Sequence, residues 1–526
     1  MGRAKFITSK DAAYMIQDGA SIGTCGFLLT GATEEILLEI ENRFLATGEP
    51  KNLSVMWASG VGDGETVRGL NHLCHEGLLK KTIGGHYGLI KRMIPMVVEN
   101  KIVAYNFPQG VLCQMFRDMA AKKPGVITHV GLGTFVDPDF EGGKLNEITT
   151  EDIVKKISLD GEEYLFYKAQ AINVALIRGT EADENGNISL RNEALTLESL
   201  AVATAAKNNG GKVIVQVQKR VKNGTINPKD VKIPGIMVDA VVVVDDIKNH
   251  MQTAGTQFNE DFISNRVVFE EKIKELPLDE RKIIARRSAM QIDLTKRVLN
   301  YGIGVPEGVA DVLKEEGINQ YFTASVEPGL IGGVALGGLN FGSAIGPEAI
   351  IDEPYQFDFY DGGGIDITFL GMAQCDSEGN LNVSKFGPKI AGCGGFIDIS
   401  QNSKEVVFCG AFTAGGLETK IIDDKLVIIK EGKVKKFIDK VEQITFNGIY
   451  EREKNSRKVT LVTERAVFEY RSEGLTLVEI APGVDLDRDI YGQMEFKPLV
   501  AKDLKMMDLR IFKNELMGLK KELSNI

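Results

Sequence analysis

No cysteine pair in the chain stands at CxxC spacing, no apolar run reaches membrane-spanning length, and basic residues are outnumbered by acidic ones. Each shortage removes a class of function. The six cysteines (Cys25, Cys74, Cys113, Cys375, Cys393 and Cys409) are too few and too scattered for a disulfide framework or a zinc ribbon, and read as reduced buried residues. Without some twenty consecutive apolar residues there is no spanning helix, and the start, MGRAKFITSKDAAYMIQDGASIG, has no apolar core of signal-peptide type. The expectation is a cytoplasmic protein with no membrane partner. Lys and Arg total 62 against 73 Asp and Glu, a formal net charge of -11. That balance lacks the basic stripe that neutralises nucleic-acid phosphates, so no nucleic-acid partner is expected.

Histidine is also scarce, at five residues. His72, Cys74 and His75 lie close together but no fourth ligand follows at suitable spacing, so no metal is expected there. His86, His129 and His250 have no evident sequence partner. The run GLIGGVALGG lacks G-x-G-x-x-G spacing between a strand and a helix, and no NAD site is expected.

Glycine, by contrast, is plentiful: 57 of 526 residues, above the roughly 7% norm. The clusters at Gly329–Gly346, Gly362–Gly364 and Gly392–Gly395 mark turns and close backbone approaches. A chain this long suits two or three domains. An internal repeat supports two. INVALIRGTEADENGNISL (172–190) aligns without a gap on IDITFLGMAQCDSEGNLNV (365–383), and Asp183, Gly186 and Asn187 fall on Asp376, Gly379 and Asn380. The register holds to KVIV (212–215) and EVVF (405–408). Each copy reads as a strand, a Gly/Asn turn, a second strand and a later buried strand. Upstream, the loop GTCGFLLTGATEE leads into the helical pattern of 36–45. In the second half, GIGVPE leads into a helix with Val305, Val309 and Leu313 at i, i+4, i+8, Pro306 at its start and Gly317 at its stop.

The fold expectation is therefore α/β, two tandem open domains: 1–245, a linker 246–281, and 282–526, the half that contains Glu327. The second half gains a β-meander over 420–480, with turns at Glu431–Gly432 and Glu473–Gly474. Leu509, Phe512, Leu516, Leu519 and Leu523 form one C-terminal helical stripe.

The candidate chemistry-bearing residue is Glu327. Tyr321–Val326 has strand composition, and Glu327 ends it before Pro328–Gly329. A carboxylate at the C-terminal end of a strand is where open α/β sheets place ligand sites, although a Glu before Pro-Gly is commonly a solvated turn residue. By spacing alone, Gln109 reads as a turn residue and Gly394–Gly395 as close loop packing.

Together with Asp18–Gly19, Gly26–Phe27, Gly31, Phe107–Gly110, Asn300–Gly304, Ser325–Gly329, Tyr360–Gly364 and Ala391–Phe396, these residues resemble the family I CoA-transferases, and most closely the fused propionate/acetate branch. The resemblance spans nearly the whole chain. It implies CoA exchange among short monocarboxylic acids (acetate, propionate, butyrate, lactate) by ping-pong kinetics through a glutamyl-CoA thioester on Glu327, with coenzyme A and acyl-CoA as substrates. It assigns the oxyanion to the Gln109 amide and a backbone N–H of Gly394 or Gly395. It also implies a homo-oligomer, tetramer or dimer.

The loop Asn300, Tyr301, Gly302, Ile303, Gly304 ahead of a helix start is the expected CoA contact, with Glu307 opposing phosphate there. Lys385, Lys389 and Lys420 are candidate phosphate partners. The chain departs from the family at Cys25, Thr33, Val326 and Pro328, which bears on substrate choice. The alternatives are an acyl-CoA hydrolase on the same fold and a non-catalytic ligand-binding protein.

Overall fold

The computed structural model describes residues 4–265, 276–455 and 457–524. Residues 266–275 of the expected linker 246–281 lie outside the described residues. By internal contacts the chain forms two units, and the division is not a single cut. Val326–Asp358 and Lys385–Asp398 belong with the N-terminal unit, Met1–Val267, and the rest of the second half forms the other. A boundary read from composition assumes a continuous segment, whereas these two insertions are assigned by what they pack on. The residue Glu327 consequently lies in the first unit and not in a domain 282–526.

The first unit is built on a parallel sheet. Its order is Lys5–Ile7, Ala240–Val243, Lys212–Val221, Val174–Asp183, Ser21–Thr24, Leu53–Trp57, Leu79–Gly84 and Val103–Asn106. Strands covered on both faces read as near-continuous apolar runs, and Val174–Asp183 is buried at every position. Ile22, Trp57, Leu176 and Ile214 are wholly buried at the centre. Each such side chain contributes about 1.5–3 kcal/mol of transfer free energy. Helices Glu34–Thr47 and Gln109–Ala120 occupy crossovers of this sheet.

In the second unit, Thr323–Val326, Val298–Tyr301, Ile367–Gly371, Glu405–Cys409 and Lys458–Val462 run parallel. Ala466–Arg471 and Gly474–Ile480 then continue antiparallel. The helix after GIGVPE spans Glu307–Glu315, with Pro306 at the N-cap and Gly317 at φ +65 beyond its end.

The repeat is visible as one turn made twice. Asp183 Oδ1 accepts from the N–H groups of Asn185 and Asn187, and Asp376 Oδ1 from those of Glu378 and Asn380. Asn187 Oδ1 then accepts from the Gly235 N–H, and Asn380 Oδ1 from the Gly448 N–H, so each turn also anchors a distant loop.

Two expectations need correction. The meander is divided. Glu418–Ile422 pairs with Lys425–Lys430 about Asp423–Asp424, both at positive φ, and the helix Gly448–Lys454 intervenes before the strands of 458–480. Adjacent Asp residues tolerate the left-handed conformation a tight hairpin turn demands, which displaces the turn from Glu431–Gly432. The C-terminal stripe is also broken. Phe512, Leu519 and Leu523 are buried, but Leu509 and Leu516 are exposed. Gly518, at φ +81, interrupts the helix, and Glu316 accepts from the N–H groups of Met517, Gly518 and Leu519 to start a short one at Leu519–Ser524.

Candidate active site

Glu327 directly follows the strand Thr323–Val326, and the Gly329 N–H closes the turn onto the Val326 carbonyl at 3.1 Å. The residue keeps some solvent contact, but its carboxyl is packed into protein. Burial, and then the negative charge of Glu353, push its pKa up to about 7, while an N–H from Gly395 opposes the shift. A carboxyl so placed is partly ionised at neutral pH and poorly hydrated, which suits a nucleophile.

The loop that supplies the Gly395 N–H is pinned along its length. Tyr87 N–H donates to the Ala391 carbonyl at 2.7 Å, and Cys393 N–H to Asn106 Oδ1 at 2.9 Å. Gly394 sits at φ +50; its N–H donates to the Gly85 carbonyl, and its carbonyl accepts from the Gln109 N–H. The Gly394 N–H is thereby occupied, which leaves Gly395 as the donor facing Glu327. A Cβ on Gly395 would lie 2.7 Å from Glu327 Oε2, so the close approach requires glycine.

Gln109 begins the helix Gln109–Ala120 behind Pro108, whose fixed φ suits a helix entry. Its amide is buried, and Nε2 donates to Glu353 Oε1 at 2.5 Å. Ser59 Oγ donates to the same oxygen at 3.0 Å. Glu353 is itself completely buried, and its N–H donates to the Leu197 carbonyl. Leu197 has φ +52, a left-handed conformation that costs a Leu about 1 kcal/mol or more. The kinked backbone there presents the next residue, Glu198, to Glu353. The two carboxyls face one another in the interior, and burial raises the pKa of each, that of Glu198 well above the usual range. Burial and mutual repulsion thus disfavour ionising both carboxyls at once.

The sequence singled out neither Glu353 nor Glu198. Neither stands in a local motif, and both reach Gln109 through the topology of the unit. His86 is a third addition. Its ring lies beside Gly394, its buried Nδ1 has no hydrogen-bond partner among the described residues, and burial lowers its pKa to about 4, so the imidazole is neutral.

The expected CoA contacts belong to the second unit. Asn300 is buried and braces strands: Nδ2 donates to the Ser325 carbonyl and Oδ1 accepts from Thr368 Oγ1. Tyr301 stacks on Phe369 with centroids 5.7 Å apart, and the Gly302 N–H is taken by the Phe369 carbonyl. Ile303 is exposed and, with Val305, Pro306, Met372 and Gly410, lines a cavity of about 400 Å³. Gly304 makes the turn at φ +87. Burial raises the pKa of Glu307 in the first helical turn, which weakens its expected repulsion of an anion. Lys420 is exposed on the strand Glu418–Ile422 and does not line that cavity, nor do Lys385 and Lys389. The lysine that does is Lys436, which is buried; burial lowers its pKa to about 8.

His72 and His75 form an ion-pair network with carboxylates, and Cys74 stands outside it. His72 Nδ1 and His75 Nε2 meet Glu41 at 2.5 and 2.6 Å, His72 Nε2 meets Glu34 at 3.0 Å, and Arg92 Nη1 meets Glu41 at 2.9 Å. The Cys74 thiol donates to the Leu70 carbonyl. Among the described residues, no group of three or more His, Cys, Asp or Glu is arranged to hold a metal ion.

Comparison with known proteins places this geometry in context. The family model described as "Coenzyme A transferase" matches residues 6–244. The chain is 47% identical to the caffeate CoA-transferase of Acetobacterium woodii, over 98% of this chain and 99% of that protein. It is 44% identical to the acetate CoA-transferase YdiF of Escherichia coli K12, over 98% and 97%. The crystal structure of the acyl-CoA transferase YdiF from E. coli O157:H7, as a thioester complex with CoA, superimposes with a TM-score of 0.90 at 42% identity, covering 98% of this chain and 97% of that one.

Proposed function

Because the chain belongs to the family I coenzyme A transferases, with both halves fused in one polypeptide, we propose that it moves CoA between short-chain monocarboxylic acids through a thioester on Glu327. It is an enzyme acting on CoA thioesters. The acid class, the covalent route and the residue roles are the proposal. The observation that carries it is the desolvated Glu327 carboxyl with the Gly395 N–H directed at it and the Gln109 amide held in the same unit.

In this reading a Glu327 carboxylate oxygen attacks the acyl-CoA carbonyl carbon. The C–S bond breaks, and CoA thiolate leaves a mixed anhydride. The thiolate then attacks the glutamyl carbonyl, the first acid departs as its carboxylate, and glutamyl-CoA remains. A second acid runs the sequence in reverse. No proton is gained or lost overall. Each tetrahedral stage carries an oxyanion, which Gln109 Nε2–H and Gly395 N–H would stabilise by about 3 kcal/mol each. Partial desolvation of Glu327 keeps water from competing for the thioester.

For the coenzyme, the cavity lined by Ile303 supports the expected role of the loop Asn300–Gly304, with Lys436 in place of Lys420 as its cation. The halves 1–245 and 282–526 remain the proposed units of the duplication, distinct from the units defined by contacts. A cytoplasmic homo-oligomer, dimer or tetramer, is part of the same reading.

The test is steady-state exchange with acetyl-CoA against acetate, propionate, butyrate, lactate and caffeate. Parallel double-reciprocal lines and a short-acid acceptor with the highest kcat/KM are expected. Preference for caffeate would overturn the acid class, and hydrolysis unaffected by any acceptor would overturn transfer itself.

A further inference from the structure

We propose that Glu353 and Glu198, sharing one proton, are positioning residues that set the orientation of the Gln109 amide. The inference deepens the transferase reading and rests on the oxyanion role given there to Gln109.

The geometry divides the work between the two oxygens of Glu353. Oε1 accepts two hydrogen bonds, from Gln109 Nε2 and Ser59 Oγ, and so acts as the unprotonated oxygen. Oε2 is buried and, like both oxygens of Glu198, has no hydrogen-bond donor among the described residues, so a proton on one carboxyl is the means of satisfying the other. The proton therefore lies on that side. A carboxamide nitrogen has two N–H bonds. Glu353 takes one, which fixes which end of the amide is nitrogen and leaves the second N–H for a developing oxyanion. A proton on Oε1 would present a donor to Gln109 and favour the flipped amide. Loss of the shared proton would put two anions in a dry interior and force one away. The singly protonated pair is the state that holds Gln109.

The charged and titratable groups facing the pair agree with this. The Cys113 thiol sits one helical turn beyond Gln109, and burial keeps it and Cys25 neutral. Glu327 adds negative charge beside Glu353, which favours retention of the proton, whereas Asp352 is ion-paired with Lys232. Glu198 also lines a cavity of about 210 Å³ with Arg117, Asp352 and Tyr355. Arg117 is tied to Asp358, Nη2 to Oδ1 at 3.1 Å, so it does not compete as the counter-ion of Glu198.

The pair is tested with Glu353→Gln, Glu198→Gln and Glu353→Leu. Glu353→Gln retains an acceptor for Gln109 and supplies a donor to Glu198, imitating the protonated pair. It is expected to keep kcat within about threefold of wild type. Wild-type kcat should fall at alkaline pH, and that limb should vanish in both glutamine variants. Glu353→Leu should lose about 100-fold in kcat with acyl-CoA KM little changed, the loss of one oxyanion donor.

Glu353→Leu with kcat within threefold of wild type overturns the inference. If that variant fails to fold, the glutamine variants decide: an unchanged alkaline limb in both overturns it. Wild type incubated with acyl-CoA is the control, because absence of a CoA adduct there defeats the transferase mechanism. An adduct in wild type with the pair's predictions unmet defeats only this inference.

Discussion

Gln109 and Glu353, 244 residues apart in sequence, meet in a buried 2.5 Å hydrogen bond from Nε2 to Oε1. This contact converts a residue at a Pro-Gln-Gly turn into a fixed amide. Substituting Gln109→Ala is expected to lower kcat about 100-fold or more with a smaller change in acyl-CoA KM. The reverse pattern, a raised KM at unchanged kcat, would assign Gln109 to ground-state binding.

If Glu327 is the nucleophile proposed above, its raised pKa sets the acid limb of activity. A carboxyl whose pKa is about 7 is protonated and inert below that value and nucleophilic above it. The rate of glutamyl-CoA formation should therefore rise with pH through a midpoint near 7. Removing the Glu353 charge, in Glu353→Gln, should move this midpoint to lower pH, since like charge raises it. Rapid-quench rates across pH 5–8.5, a range of about 3.5 units around that midpoint, provide the readout.

Gly395→Ala separates the site from the fold. Its Cβ would fall 2.7 Å from Glu327 Oε2, with Phe357 Cζ at 3.2 Å. The new methyl group displaces the carboxylate, so activity should fall about 100-fold. Thermal stability should change little because the Gly395 φ is not in the left-handed region. A comparable collapse of melting temperature and activity would contradict this account.

The His72 network makes a stability prediction remote from catalysis. Hydrogen bonds and charge from Glu34 and Glu41 outweigh burial and raise the His72 pKa above 6.5. Its contribution is fully present below 6.5 and is lost as pH rises through the raised folded value. Glu41 is shifted downward by His72, His75 and Arg92, which outweigh its burial. Its contribution is present above 4.5 and lost as pH falls through the lowered value. Stability from this cluster should thus peak between those limits. His72→Phe should cost about 1–3 kcal/mol at pH 6, measured by urea unfolding, because it removes the charged hydrogen-bond donor shared by Glu34 and Glu41. A smaller cost at pH 6 than at pH 8.5 would contradict the assignment.

What could be read from the sequence was what is local or repeated. The Asp183 and Asp376 turns share a spacing, and the structure gives them the same hydrogen bonds. The helix after Pro306 and the strand before Glu327 follow from composition and period. The site's supporting residues were not legible, because Glu198 and Glu353 meet by topology. Asn300 shows the opposite failure. It stands in a recognisable motif, but the parallel register turns its side chain inward to Ser325 and Thr368. Burial alone separates Lys436 from the lysines flagged by sequence, and no linear pattern carries that information.

The most direct test is peptide mass spectrometry of the intact enzyme after brief incubation with acetyl-CoA and quenching. A CoA-sized adduct is expected on the peptide containing Glu327, discharged by adding acetate and absent in Glu327→Gln. Turnover by wild type with that peptide unmodified at every quench time, or steady turnover by Glu327→Gln with deamidation excluded, would contradict it.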